Sequence, residues 1–211
     1  MSDVDVSNDP HIPHPPLWPL IVYQGLAKEI IGRYNIANGL CLDVGSGVGM
    51  LGIELARRTR LNVFLLDVEK NVLAKGLRNA EYFKVRDRVS GVQADAHALP
   101  FREGSLNLIV SRGSIPFWRD IVKVFKEIYR VLAAGGVAFI GGGFPKCISK
   151  RLLKEFESRR KNFFNGPGKQ YLPLEKWELD KRVREAGVAG FKVIRKGPGR
   201  WVEIVKPSNN S

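Results

Sequence analysis

Three carboxylates and a run of glycines mark where this sequence has the means to do chemistry. Asp43, Asp67 and Asp95 each stand at the end of a short apolar run, and the first leads directly into Gly45-Ser46-Gly47-Val48-Gly49. Glycine at every second position lets a loop adopt backbone angles that other residues resist, and lets a ligand approach the main chain with no Cβ in between. The N–H groups of such a loop, and of the helix start behind it, face that ligand. Carboxylates closing the next two strands accept hydrogen bonds from hydroxyl or amino groups of the same molecule. Ser111 closes a fourth apolar run. The combination points to a nucleotide-like cofactor.

The elements that must position these residues follow from apolar periodicity. A helix is predicted over residues 20–34, where Leu20, Val22, Tyr23, Leu26, Ile30 and Ile31 fall near helical spacing. A strand runs from Leu40 into Asp43, and a helix follows the glycine loop. Further strands are predicted at 62–67, 89–95, 106–111 and 137–140, with helices at 69–83 and 120–132 between them. Residues 133–136 read as a break, and Gly141-Gly142-Gly143 as either an approach for a ligand or a bend. Beyond lie a basic helix at 148–164, a turn at 165–168, a helix at 174–186 and a hairpin of 191–194 with 201–205. Strand–helix alternation of this kind predicts an α/β fold: a doubly wound, mostly parallel seven-stranded Rossmann-like sheet with helices on both faces and a C-terminal antiparallel hairpin. Such sheets bind ligands beyond the carboxyl ends of their strands.

Composition narrows the partners. Residues 1–19 hold five prolines and read as an extended arm; residues 20–207 read as one domain, with 146–188 a basic helical cap or insertion, and 208–211 as a tail. No apolar run is long enough to span a bilayer, and the acidic, proline-rich start is unlike a signal peptide. Cys41 and Cys147 make neither a disulfide framework nor a metal spacing. His11 and His14 sit beside prolines that prevent them from sharing a helical face, so no metal is expected. These features predict a cytoplasmic protein with no membrane partner. Residues 1–100 hold 11 basic and 11 acidic side chains, so the whole net charge of +13 lies in residues 101–211, densest from Lys146 to Lys161. That imbalance indicates an anionic partner or, alternatively, a solvated helix face.

Gly47, Gly49 and Gly52 also spell a dinucleotide fingerprint, but its first glycine should close the strand, and Gly45 does that. The order of motifs instead resembles the class I S-adenosylmethionine-dependent methyltransferases, and among them the methyltransferase type 11 group. The resemblance rests on Leu42-Asp43-Val44-Gly45-Ser46-Gly47-Val48-Gly49, Leu66-Asp67, Asp95-Ala96-His97-Ala98-Leu99-Pro100-Phe101 and Tyr129-Arg130-Val131-Leu132-Ala133-Ala134-Gly135-Gly136. It implies S-adenosyl-L-methionine as cofactor. Gly45, Ser46 and Gly47 would line the methionine moiety, with Asp43 placing the loop and the ammonium group. Asp67 would take the ribose hydroxyls, and Asp95 the adenine amino group. The Ala96 N–H would meet a ring nitrogen between Val68 and Leu99, and Ser111 would face the methionine end. Taken singly, Asp67 also suits a helix N-cap and Asp95 a turn.

The implied chemistry is in-line displacement at a sulfonium methyl, in which the protein mainly aligns the acceptor and excludes water. A general base is optional; His97 is the candidate, although its place also suits lining the adenine loop. Acceptor-binding candidates are Tyr23 on the first helix, Arg112 as a grip for an anion, and Trp118 as a stacking surface, the last two having a surface ion pair and a core aromatic as alternatives. The segment after the fourth strand lacks the Asn/Asp-Pro-Pro-Tyr/Phe signature of enzymes that methylate nucleobase amines. The expected acceptor is a small molecule, planar or anionic. The alternatives are an RNA or protein substrate docked on the basic half, and a non-catalytic cofactor-binding module.

Overall fold

Strands apolar on both faces are stable only when covered on both sides, and this chain supplies the covers. The computed structural model describes residues 17–154, 178–195 and 199–208. In chain order these form α1 (Leu17–Tyr34), β1 (Asn38–Val44), α2 (Met50–Arg58), β2 (Arg60–Asp67), α3 (Lys70–Tyr82), β3 (Val89–Gln93), β4 (Leu106–Arg112), α4 (Ile121–Val131), β5 (Leu132–Gly143), α5 (Leu179–Glu185), β6 (Phe191–Ile194) and β7 (Gly199–Val205). The sheet order is β3-β2-β1-β4-β5-β7-β6. Every pairing is parallel except β5 with β7 and β7 with β6. The expected doubly wound sheet and its terminal hairpin are both present.

Alternation along β1 sends side chains to two cores. Cys41 packs with Ile30 of α1, Leu55 of α2 and Ala80 of α3, while Leu42 and Val44 pack with Phe125 and Ile128 of α4 and Val183 of α5. Burying each large aliphatic side chain stabilises the fold by about 2 kcal/mol, so neither helical layer is dispensable. The strand order reverses between β1 and β4, and the carboxyl ends of these two strands open the crevice in which such sheets bind ligands.

The structure departs from expectation in several places. α1 begins at Leu17 and includes Pro19; the first turn of a helix has no intrahelical use for its N–H groups, so proline is tolerated there. The rest of the predicted arm, residues 1–16, lies outside the described residues. β3 ends at Gln93, short of Asp95, because the Asp95 carboxylate accepts the His97 N–H (2.9 Å) and turns the chain out of the ladder. The predicted break at 133–136 belongs to β5: Leu132 pairs with Leu106, the Gly135 N–H donates to the Lys206 carbonyl (2.9 Å), and the Lys206 N–H donates back to Gly136 (3.0 Å). Of the basic helix, residues 150–154 are helical, and its remainder lies outside the described residues, as do the turn at 165–168 and the start of the helix at 174–186.

α1 is latched to β7, the strand next to one edge of the sheet. Arg33 and the Tyr34 hydroxyl both bond one carboxylate oxygen of Glu203 on β7, at 2.8 and 2.6 Å. Arg33 also bonds Glu29 (2.8 Å), whose other oxygen accepts the Lys146 N–H (3.0 Å) beyond β5. Among the described residues no helix is long and apolar enough to cross a membrane, and no cluster of His, Cys, Asp or Glu has the makings of a metal site.

Candidate active site

The glycine loop owes its shape to main-chain constraints. Gly45 has φ +63°, and a Cβ there would lie 2.5 Å from the Ser114 Cβ, so both conformation and space require glycine. Gly47 has φ +56° but nothing within 4 Å of the Cβ position, which leaves its face open. The Ser46 N–H is tied to the Leu66 carbonyl (2.9 Å), locking the loop to the end of β2.

The three carboxylates stand around this loop, and their environments differ. Asp43 is buried, and its Oδ2 accepts the Gly52 N–H from α2 (2.9 Å). Burial pushes its carboxyl up to about 7, against the lowering effect of the Gly52 bond and with a smaller upward push from Asp67. Asp67 accepts the Gly47 N–H at Oδ2 (2.9 Å) and the Glu69 N–H at Oδ1 (3.1 Å). A carboxylate has about four lone-pair positions, so acceptor capacity remains on both oxygens. Val68 beside it is 55% exposed, an apolar side chain left open at the rim. Asp95 is half exposed, and hydrogen bonding from the His97 N–H and ring, with Arg119 nearby, holds its carboxyl below the usual carboxylate range. Ala96 and Leu99 are buried, and Leu99 belongs to the core beneath the loop. Ser111 is fully buried; its hydroxyl donates to the Val44 carbonyl (2.7 Å) and meets the Ser114 hydroxyl. The open Gly47 face, the exposed Val68 and the spare acceptor positions of Asp67 and Asp95 fit a ligand that combines a polar chain, a diol and an aromatic base.

His97 has neither ring nitrogen free. Nδ1 bonds the Asp95 carboxylate, and Nε2 accepts the Asp120 N–H (3.0 Å) at the start of α4. The geometry suits a neutral ring protonated at Nδ1, which leaves no site to receive a substrate proton.

At the ends of β4 and β5 the site is built from side chains. Arg112 Nε donates to the Gly143 carbonyl (3.0 Å), and Nη1 bonds the Tyr23 hydroxyl (3.2 Å), with the guanidinium 4.9 Å from the Tyr23 ring centroid. Arg112 has no carboxylate partner among the described residues. Trp118, expected as a stacking surface, is 9% exposed and set edge-on to Phe125 in the core. The exposed aromatic of that loop is its neighbour Phe117, at 67%. The triple glycine was open to two readings, an approach for a ligand or a bend, and Gly141 serves a third purpose: a Cβ there would lie 2.1 Å from the Arg200 carbonyl oxygen, so this glycine allows β7 to close on β5. Sequence reasoning also missed Glu127 and Arg130, which clamp the adenine-side loop from α4. Glu127 accepts the Leu99 N–H (2.9 Å), and Arg130 donates to the Leu99 and Phe101 carbonyls (3.0 Å each). Their (i, i+3) spacing on one helix face was the available signal.

Comparison with known proteins agrees with this geometry. The methyltransferase domain family matches residues 42–140. The crystal structure of a candidate S-adenosyl-L-methionine-dependent methyltransferase from Methanococcus maripaludis superposes with a TM-score of 0.78 at 33% identity, covering 90% of this chain and 87% of that one. Rice 2-methyl-6-phytyl-1,4-hydroquinone methyltransferase 2, chloroplastic, is 39% identical over 167 residues, 78% of this chain and 43% of the relative. The Arabidopsis thaliana protein named for the same activity, also chloroplastic, is 37% identical over 116 residues, 54% of this chain and 33% of the relative. The chain thus spans less than half the length of these curated relatives. Their chloroplast location overturns the expectation of a cytoplasmic protein.

Proposed function

Since this chain belongs to the class I S-adenosylmethionine-dependent methyltransferases, we propose that it methylates a small hydroxylated aromatic acceptor of the hydroquinone class, in a plastid. The observation that carries the acceptor reading is the Arg112 guanidinium, held by the Gly143 carbonyl and the Tyr23 hydroxyl and lacking a carboxylate partner among the described residues.

When bound, S-adenosylmethionine supplies a methyl group on a positively charged sulfur. The main chain of Gly45, Ser46 and Gly47 would hold its methionine end, with Asp43 behind the loop and the buried Ser111–Ser114 pair fixing the loop's far side. Asp67 would receive the ribose hydroxyls, and Asp95 the adenine amino group, with Val68 and the Ala96 N–H against the ring. Arg112 would hold an acceptor oxygen: a fixed positive charge favours ionisation of a phenolic hydroxyl, and ionisation raises the nucleophilicity of both the oxygen and the ring. Tyr23 would orient that guanidinium and cover it from water, and Phe117 would offer an apolar surface to a ring or tail. Attack through a phenolate oxygen requires no proton acceptor, whereas attack through a ring carbon ends with loss of that carbon's proton, which water can take.

The test is label transfer from methyl-labelled S-adenosylmethionine to a panel of 2-methyl-6-phytyl-1,4-hydroquinone, shorter-tailed hydroquinones, total RNA and protein. Label is expected in the hydroquinones. Label in RNA or protein with the hydroquinones blank would overturn the proposal and favour docking through the basic half.

A further inference from the structure

We infer that His97 is a positioning residue that ties the cofactor's adenine loop to the acceptor loop, so that loading the cofactor orders residues 113–120. The inference rests on the reading that Asp95 receives the adenine amino group. Two loops that leave the sheet with β2 and β1 between them meet here at its carboxyl rim, one after β3 carrying Asp95 to Leu99, the other after β4 carrying Phe117 to Asp120. His97 bridges them with both nitrogens: Nδ1 to the Asp95 carboxylate, Nε2 to the Asp120 N–H. Its side chain is 13% exposed, so water competes little for either bond. Arg119, 3.5 Å from the other Asp95 oxygen, adds a looser tie between the same loops.

The bridge is directional in its chemistry. Asp120 is the N-cap of α4: its side chain accepts the Lys123 N–H (2.9 Å), and its own N–H has the His97 ring as acceptor. Fixing that N–H fixes where α4 begins and hence where the preceding Phe117–Arg119 segment lies. An adenine amino group on Asp95 shares the carboxylate that His97 holds. Each bond restricts the same group, so ordering by one ligand lowers the entropy lost when the acceptor loop orders. By linkage, acceptor binding must then tighten cofactor binding by the same factor. The adenine-side loop has its own anchors in Glu127 and Arg130, so loss of the His97 bridge leaves it seated.

The experiment is amide hydrogen exchange at residues 113–120 in the full chain, with and without saturating S-adenosylhomocysteine. In the wild-type protein the ligand is expected to slow exchange there. In His97→Asn, whose amide reproduces Nδ1 but not Nε2, affinity should stay within about threefold while the slowing is lost; in His97→Ala affinity should also fall about tenfold. Equal slowing in wild type and His97→Asn would overturn the inference. Should both variants fail to fold, the unmodified protein still decides. Saturating S-inosylhomocysteine, which lacks the amino group, should slow exchange less than S-adenosylhomocysteine, and equal slowing would overturn the inference. Asp95→Ala separates this from its premise: unchanged S-adenosylhomocysteine affinity removes the adenine reading itself, whereas weakened affinity with loop protection retained in His97→Asn removes only the bridge.

Discussion

The two halves of the crevice are made of different material. On the cofactor side, at the ends of β1, β2 and β3, carboxylates bond main-chain N–H groups: Asp43 to Gly52, Asp67 to Gly47 and Glu69, Asp95 to His97. On the acceptor side, at the ends of β4 and β5, a cation is held by a tyrosine from α1 and by a carbonyl. The first half is rigid, because backbone geometry determines it. The second is assembled from side chains distant in sequence, Tyr23 and Arg112 standing 89 positions apart. A cofactor common to a whole family suits the first kind of construction, and an acceptor that differs between members suits the second.

Substitutions should separate the halves. Gly45→Ala strikes the rigid half hardest, combining a positive φ with a Cβ 2.5 Å from Ser114. It should destabilise the fold by about 3 kcal/mol in denaturant titration. Asp67→Ala should weaken S-adenosylmethionine binding by about 2 kcal/mol in calorimetry while changing the melting temperature of the free protein less than Gly45→Ala does. Arg112→Lys keeps the charge and loses the fork, so it should lower kcat/KM for the acceptor by about tenfold with cofactor affinity unchanged. A matching loss of cofactor affinity would mean that the halves are not separable.

The subtlest effect to read is one of pH. Burial raises the Asp43 carboxyl to about 7, so the free protein holds it largely neutral below that pH. A bound cationic cofactor favours the ionised form. Affinity should therefore rise by at most about tenfold per unit as pH climbs toward 7 and flatten above it. The sign is opposite for folding: a raised carboxyl contributes stability below the unfolded value, and that contribution is lost as pH rises through about 7. Asp43→Asn should abolish both trends, read as cofactor affinity and melting temperature between pH 5 and 8.

The same division explains what could be read in advance. The glycine loop, the strand-end acids and the sheet with its hairpin were legible because each is a local rule about backbone angles, periodicity or a carboxylate at a strand end. Trp118 stayed open between a stacking surface and a core aromatic because residue type cannot tell the two apart; only its contact with Phe125 decides. The Gly141–Gly143 run suited either an approach for a ligand or a bend, and the close neighbour of Gly141 proved to be a strand 59 positions later. The His97 bridge to Asp120 joins two loops across 23 positions and has no local signature.

The latch between α1 and Glu203 has a consequence for how such an enzyme diversifies. It pins the helix at its C-terminal end, while Tyr23 reaches the acceptor end from the other. The helix is thus a lever whose fulcrum lies outside the catalytic crevice. New acceptor ranges are open to trial in its first turns without disturbing the anchor, and a library confined to residues 20–24 is where retargeting should begin.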